Sequence, residues 1–184
     1  MSNKIDFTIQ GGIFPILQRS PNTCWAATTA VLLSWKNQAS ITDIVATTQA
    51  GTAPDGEKYV DKLMNDKILL SDHQEDYFSK FDFGTEAPAN YIPEGIEELL
   101  REYGPLWVAN DEDNGQNPML YHYRIIYGIY GDGTVDNTFL KIIDPLRKNP
   151  IEERYSVFVA KYEQLAIESN EYNWELAIQI IHFK

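Results

Sequence analysis

The sequence predicts an α+β fold, with helices in the first half of the chain and an antiparallel β-sheet in the second. Residues 24 to about 36 are apolar on all sides, which is typical of a helix buried on most of its faces. The second half instead contains short segments rich in β-branched and aromatic residues, as expected for strands. Because helices come first and strands second, we expect residues 1–184 to form a single α+β domain.

The N-terminal segment is predicted to form a short edge strand. Ile5, Phe7 and Ile9 alternate with polar residues, which is the period of a strand with one buried face. Gly11-Gly12 then interrupts the alternation, so a turn is expected there.

The region after the first helix is predicted to contain two more helices and a long loop. Ser40-Ile-Thr-Asp43 fits a capping box, which predicts a helix over residues 40–49. A weaker helix is expected over residues 57–65. Residues 68–90 show little periodicity, and we expect a loop that could wall a cleft, packed down by its phenylalanines, of which the last is Phe83.

Proline and glycine mark the two ends of a helix that precedes the sheet. Pro93 suits a first helical turn, and Gly104-Pro105 should end the helix after Tyr103. Gly131-Asp-Gly133 is predicted to form a turn between two strands, and a last helix is expected over residues 156–167. Strands are predicted over residues 106–109, 122–130, 139–143 and 174–183.

Composition and charge argue against several classes of function. The net charge is −12, and no stretch offers the basic footprint that phosphate binding needs, so nucleic acid is not an expected partner. No apolar run approaches the ~20 residues of a membrane span, and the N-terminus shows no secretory signal pattern. One cysteine cannot form an internal disulfide, so the fold does not depend on an oxidising compartment. We expect a protein that is cytoplasmic when made, without membrane insertion.

The single cysteine is the candidate nucleophile. Cys24 opens the first predicted helix, where unpaired backbone N–H groups and the positive end of the helix dipole favour a thiolate. Gln18 lies six residues upstream and could donate its side-chain amide to an oxyanion that forms near the sulfur. A nucleophile and an oxyanion donor are therefore predicted on one short loop.

The segment Gln18-x5-Cys24-Trp-Ala resembles the active-site segment of papain-like cysteine peptidases. Members of that family also carry a histidine at the start of a strand and an Asn or Asp at the end of a later one. His122-Tyr-Arg-Ile-Ile-Tyr-Gly-Ile129 and Phe139-Leu-Lys-Ile-Ile-Asp144 are similar to those two segments and come in the same order. The compact spacing resembles the small bacterial branch, which includes double-glycine leader peptidases and secreted effector proteases.

This resemblance implies a papain-like fold, with the cysteine at a helix start packed against an antiparallel sheet, and a role for each residue of the motif. Cys24 would attack a carbonyl carbon and form a thioester, while His122 would protonate the leaving amine and then activate water. Asp144 would orient His122, and Gln18 with the Cys24 backbone N–H would hold the oxyanion. Trp25 is expected to pack beside the active-site loop and to contribute to substrate binding.

The resemblance to effector proteases also implies a biological role. We expect an antibacterial toxin, exported by a type VI system into a target cell without a cleaved signal peptide, which cleaves an intracellular protein at a Gly-Gly site. A cognate immunity protein would block its cleft. Gly11-Gly12 could then be a self-processing site, although a turn is the expected interpretation of the pair.

Other interpretations of the same residues remain open. The same thioester chemistry would serve a deamidase, a transglutaminase-like enzyme or a peptidoglycan amidase. A papain-like fold without activity would be a binding module, and Arg124 favours this because it shares a strand face with His122. A cation there would lower the pKa of His122 unless a carboxylate pairs with it. Each triad member also has a purely structural interpretation, such as an inert core cysteine.

No cofactor and no metal ion is expected. Cysteine, histidine and aspartate can together bind zinc, but the sequence has no CxxC or HxxxH spacing. His73 and His182 are predicted to lie outside the active site.

Overall fold

The computed structural model describes residues 4–11, 13–18, 24–37, 82–87, 89–113, 115–117, 121–172 and 178–184. The predicted helices over residues 40–49 and 57–65, most of the predicted loop over residues 68–90, and His73 lie outside these ranges. The described helices are α1 (Cys24–Asn37), α2 (Pro93–Tyr103) and α3 (Tyr155–Glu171). The strands are β1 (Ile5–Thr8), β2 (Phe83–Thr85), β3 (Leu106–Asp111), β4 (Tyr121–Gly131), β5 (Thr138–Ile143), β6 (Ile151–Arg154) and β7 (Ile180–Phe183).

The strands form one antiparallel sheet that is built around β4. The sheet order is β2-β7-β3-β4-β5-β6, and β1 pairs with β4. Strands β3 and β1 share one edge of β4, because β3 pairs with Tyr121–Ile126 and β1 with residues 128–131. Strand β5 pairs along the other edge of β4, with a register shift between Ile126 and Gly128. The predicted order of helices and antiparallel strands is therefore confirmed for the described residues.

Alternate residues of the central strands face two separate parts of the core. The face toward α1 carries odd-numbered residues of β3, β4 and β7, and the opposite face packs against α2 and α3. The first face includes Trp107, Ala109, Tyr123, Ile125 and Ile181. The second includes Leu106, Val108, Ile126, Leu140 and Ile142.

Helix α1 is buried on nearly all sides, as its composition predicted. Small residues allow this close packing, since Ala26, Ala27 and Ala30 are at most 4% exposed. The threonine hydroxyls inside the helix are satisfied internally, because Thr28 donates to the Cys24 carbonyl at 2.8 Å and Thr29 to the Trp25 carbonyl at 2.7 Å. The helix can therefore bury its first turn, and with it Cys24.

Helix α2 begins and ends at the residues that the sequence predicted. Pro93 is its first residue, and Gly104 follows Tyr103 with a φ of 84°. A side chain at Gly104 would collide with the Trp35 ring of α1, so this glycine is needed both for its backbone angle and for space. Within the described ranges, no helix combines the length and the apolar run needed to cross a lipid bilayer.

Several predicted boundaries are wrong. The strand predicted over residues 174–183 is limited to Ile180–Phe183 as far as it is described, and α3 is longer than expected, at Tyr155–Glu171. The predicted loop over residues 68–90 contains a strand near its end, β2, because Phe83 is buried in the core and pairs with β7. Strand β6 was not predicted, since its sequence Ile-Glu-Glu-Arg has little β propensity and gains its place by pairing with β5.

Candidate active site

Cys24 is the first residue of α1 and lies in the core on the α1 side of the sheet. Its side chain is buried, at 6% exposure. The backbone N–H groups of a first helical turn have no partner within the helix, and the helix dipole is positive at this end. The fold therefore places Cys24 at the start of a helix, as the sequence predicted.

His122 lies at the start of β4 and contacts both other members of the predicted triad. Its Nε2 is 2.8 Å from Asp144 Oδ1. The ring also forms a hydrogen bond with the side chain of Cys24. Because Asp144 occupies Nε2, Nδ1 is the ring nitrogen that remains for the sulfur. The three residues therefore form a connected Cys–His–Asp arrangement.

The protonation state of His122 follows from these contacts. Burial of the ring alone lowers its pKa, but the hydrogen bonds to Asp144 and Cys24, together with their negative charges, outweigh burial and raise the pKa of His122 to about 9. An imidazolium is therefore favoured at neutral pH. This is the charge that a thiolate partner and a general acid both require.

Asp144 directly follows β5 and is held in place by several donors. Burial raises its pKa, but the hydrogen bonds from His122 and from the Leu146 backbone N–H, with the positive charges nearby, lower it below its ordinary value overall. The Leu146 N–H donates to Oδ1 at 2.9 Å, and Arg147 Nε lies 3.5 Å from Oδ2. The carboxylate is thus ionised and fixed in orientation toward His122.

Gln18 and Trp25 lie next to these residues, and their functional roles stay predictions. The Gln18 backbone N–H donates to the Pro145 carbonyl at 2.9 Å, which attaches the segment before α1 to the turn that follows Asp144. Trp25 is half-buried and packs against the core around Cys24.

Arg124 does share a strand with His122 and is buried, but carboxylates pair with it. Its Nη2 lies 3.0 Å from Glu153 Oε1, and its Nε lies 3.1 Å from Glu112 Oε1. Because these carboxylates pair with Arg124, the arginine does not lower the pKa of His122, and that pKa is raised. The argument that Arg124 favours an inactive binding module loses its basis.

Sequence reasoning missed a group of polar residues around Arg124 and a tyrosine near the thiol. Burial and the charge of Cys24 raise the pKa of Tyr123, which packs on the α1 face of β4. The polar residues belong to separate elements that only the tertiary fold brings together, so no local pattern could have identified them. They are Asn110, Glu112, Glu153 and Lys161.

His182 makes contacts of a different kind, at another part of the sheet. Its Nε2 is 2.9 Å from Glu86 Oε1, its Nδ1 is 2.6 Å from the Phe183 carbonyl, and its ring stacks on Tyr103 at 3.8 Å between ring centroids. These contacts connect β7 with α2 and with the residue after β2. In the described part of the chain, no group of three or more His, Cys, Asp or Glu residues is arranged to hold a metal ion.

The chain was compared with known protein families. Residues 8–163 match the family described as "Papain-like cysteine protease AvrRpt2". The match covers most of the chain and includes Cys24, His122 and Asp144. The chain belongs to this family. As a papain-like cysteine protease, it has the α+β fold that the sequence predicted, and the predicted resemblance is confirmed. No curated protein matches the chain.

Proposed function

We propose that this papain-like protein is an active cysteine endopeptidase, in which Cys24 is the nucleophile, His122 the general acid and base, and Asp144 the residue that orients His122. The observation that carries the proposal is the pair of hydrogen bonds made by the His122 ring, one with Asp144 and one with Cys24. A buried histidine placed between a carboxylate and the single cysteine is the arrangement that activates a thiol.

In the first half of the reaction, the Cys24 thiolate attacks the carbonyl carbon of a peptide bond and forms a tetrahedral oxyanion. Gln18 and the Cys24 backbone N–H are the proposed donors to this oxyanion, and one such donor typically contributes ~10²–10³ in rate. The C–N bond then breaks, and the His122 imidazolium gives its proton to the leaving amine. A thioester remains on Cys24, and His122 is neutral.

In the second half, the neutral His122 takes a proton from water, and the resulting hydroxide attacks the thioester carbonyl. The C–S bond breaks, the acyl group leaves as a carboxylic acid, and the thiolate–imidazolium pair is restored. Asp144 accepts a hydrogen bond from His122 throughout, which keeps the ring in one tautomer and stabilises its charged form.

The purified protein tests this proposal on a whole bacterial proteome, without choosing one substrate in advance. Wild type and Cys24→Ala would each be incubated with a reduced bacterial lysate, and the new protein N-termini would be identified by mass spectrometry. We expect new N-termini with wild type and none with Cys24→Ala. A +1 Da shift at Gln or Asn without chain cleavage would instead assign the same thioester chemistry to a deamidase. No change in either sample would contradict the proposal.

We further propose that the target is a protein inside a bacterial cell that receives this enzyme as an antibacterial effector. The resemblance to secreted effector proteases supports this role, with cleavage at a Gly-Gly site and inhibition by a cognate immunity protein. Expression of wild type in the bacterial cytoplasm should arrest growth, whereas Cys24→Ala should not. Equal growth of the two strains, with cleavage still seen in the lysate, would contradict the effector role and leave the peptidase proposal intact.

A further inference from the structure

We propose that Arg124 is a positioning residue for the His122–Asp144 pair, acting through Asn110 and through the charge of its guanidinium. The inference rests on the proposed function, because it assigns a second layer of residues to the same site.

The guanidinium of Arg124 is held in one orientation by three partners. The side chain is 1% exposed. Nη1 and Nη2 donate to the two oxygens of Glu153 at 3.1 Å and 3.0 Å, and Nε faces Glu112 Oε1 at 3.1 Å. Nη2 also donates to Asn110 Oδ1 at 3.1 Å. Such a paired, planar fork fixes both the distance and the angle of the groups that it contacts.

Asn110 connects this fork to the active site. It lies directly opposite His122 in the β3–β4 ladder, and cross-strand neighbours on one face have Cβ atoms ~5 Å apart. Arginine can only donate, so the contact with Arg124 fixes Oδ1 toward the guanidinium and turns Nδ2 away from it. Asn110 is fully buried, yet its Nδ2 has no hydrogen-bond partner among the described residues. Its orientation beside His122 is therefore imposed by Arg124, since within the described ranges no second hydrogen bond holds the Asn110 side chain there.

The charges around Arg124 balance, so its removal would leave a negative charge behind the triad. Lys161 Nζ lies 2.7 Å from Glu153 Oε2 and 2.8 Å from Glu112 Oε2, which gives two cations and two anions in contact. The charged groups that act on His122 are Cys24 and Asp144. The positive charges near Asp144 are those of His122, Arg147 and Arg124. The positive charge of Arg124 helps to hold the pKa of Asp144 below its ordinary value.

The reactivity of Cys24 provides two separate readouts. Since the chain has one cysteine, alkylation reports on this thiol alone. The rate with neutral iodoacetamide at pH 7 reports how well the thiolate is formed and held. The ratio of the rate with anionic iodoacetate to that with iodoacetamide reports the charge of His122, because only an imidazolium attracts the anionic reagent. In wild type this ratio should fall with a midpoint near pH 9, the pKa of His122.

Arg124→Met tests both actions, and Arg154→Met is its matched control. Arg154 is an exposed arginine on β6, the strand that also carries Glu153. We expect Arg124→Met to move the midpoint of the ratio upward by about 0.5 to 1 pH unit, because a net negative charge favours the imidazolium. The iodoacetamide rate should fall about tenfold, because Asn110 and the His122–Asp144 pair lose their fixed geometry. Arg154→Met should behave as wild type in both readouts.

The double variant Arg124→Met/Glu153→Gln separates charge from geometry. It restores the charge balance, because Glu112 and Lys161 remain as one anion and one cation. The midpoint of the ratio should then return to the wild-type value, while the iodoacetamide rate stays low. If Arg124→Met does not fold, Arg124→Lys tests the geometric action alone, because it keeps the positive charge and loses the planar guanidinium. We then expect a wild-type midpoint and an iodoacetamide rate at least fivefold lower than in wild type.

Either of two results would overturn this inference alone. If Arg124→Met has a wild-type midpoint and an iodoacetamide rate within twofold of wild type, Arg124 is only structural. If Arg124→Met does not fold, an iodoacetamide rate within twofold of wild type for Arg124→Lys would lead to the same conclusion. These results leave the proposed function standing. If wild-type Cys24 instead reacts like an ordinary cysteine, with no fall of the ratio near pH 9, the proposed function and this inference fail together.

Discussion

The hydrogen bond with Asp144 is the strongest single interaction that raises the pKa of His122. The Asp144 carboxylate lies 2.8 Å from Nε2, and both the hydrogen bond and the negative charge raise the pKa of His122 against the effect of burial. With the carboxylate absent, burial would act with less opposition and the pKa of His122 would fall toward its ordinary value of ~6.5. The proposed ion pair with Cys24 therefore depends on Asp144 at neutral pH.

Asp144→Ala should lower the pH at which His122 loses its proton. We expect the midpoint of the iodoacetate-to-iodoacetamide rate ratio at Cys24 to fall from about 9 in wild type by one pH unit or more. Asp136→Ala, at an exposed position in the turn between β4 and β5, is the matched control and should leave the midpoint unchanged. An equal midpoint in wild type and Asp144→Ala would mean that the carboxylate does not set the charge of His122.

The residues of the triad could be predicted because each occupies a recognisable place in a periodic segment. Cys24 opens an apolar helix, His122 stands at the start of a strand, and Asp144 ends one. Asn110 and Glu153 could not be predicted, because their contact with Arg124 depends on the register of β3, β4 and β6. A shift of one residue in any of these pairings would turn the side chains to the other face of the sheet.

At the scale of elements, the end of α2 and the last turns of α1 depend on one glycine. Gly104 has a positive φ of 84°, and a Cβ there would collide with the Trp35 ring of α1. Gly104→Ala should lower the free energy of unfolding by about 3 to 5 kcal/mol, because it adds an overpacking cost to the backbone cost. The measurement is urea denaturation monitored by circular dichroism.

Gly11→Ala is the control that isolates the contact with Trp35. Gly11 also has a positive φ, 77°, but a Cβ there would meet nothing within 4 Å. This variant should lose only the backbone term, about 1 to 2 kcal/mol. Equal losses for Gly104→Ala and Gly11→Ala would contradict the steric argument.

The helix whose ends are marked by proline and glycine was predicted to the residue, whereas the short strands β2 and β6 were not predicted. Helix α2 has proline at its first position and glycine after its last, so its local sequence specifies both ends. Strands β2 and β6 have three and four residues and lie at the two ends of the sheet order. Their conformation is stabilised by a neighbouring strand and by the burial of Phe83, which are features of the tertiary structure.

At the scale of the whole molecule, the sheet lies between α1 on one face and α2 with α3 on the other. Cys24 belongs to the core on the α1 face, and His122 and Asp144 come from the ends of β4 and β5. The geometry of the triad therefore depends on how α1 packs against the sheet. The single domain that the sequence predicts would make this packing part of one cooperative structure.

A single domain should unfold in one transition. Far-UV circular dichroism and tryptophan fluorescence would be followed through the same urea titration, the first reporting on backbone structure and the second on four tryptophans, two of which lie on α1. We expect the two midpoints to coincide. Two separate transitions would contradict the prediction that residues 1–184 form one domain.

The most direct test of the central claim, that His122 activates Cys24, is the alkylation rate of Cys24 by iodoacetamide at pH 6. An ordinary cysteine is roughly 0.3% thiolate at this pH, so an activated thiol reacts far faster. We expect His122→Ala to react at least tenfold more slowly than wild type, while His182→Gln, which changes the other described buried histidine, keeps the wild-type rate. Equal rates for wild type and His122→Ala would contradict the claim.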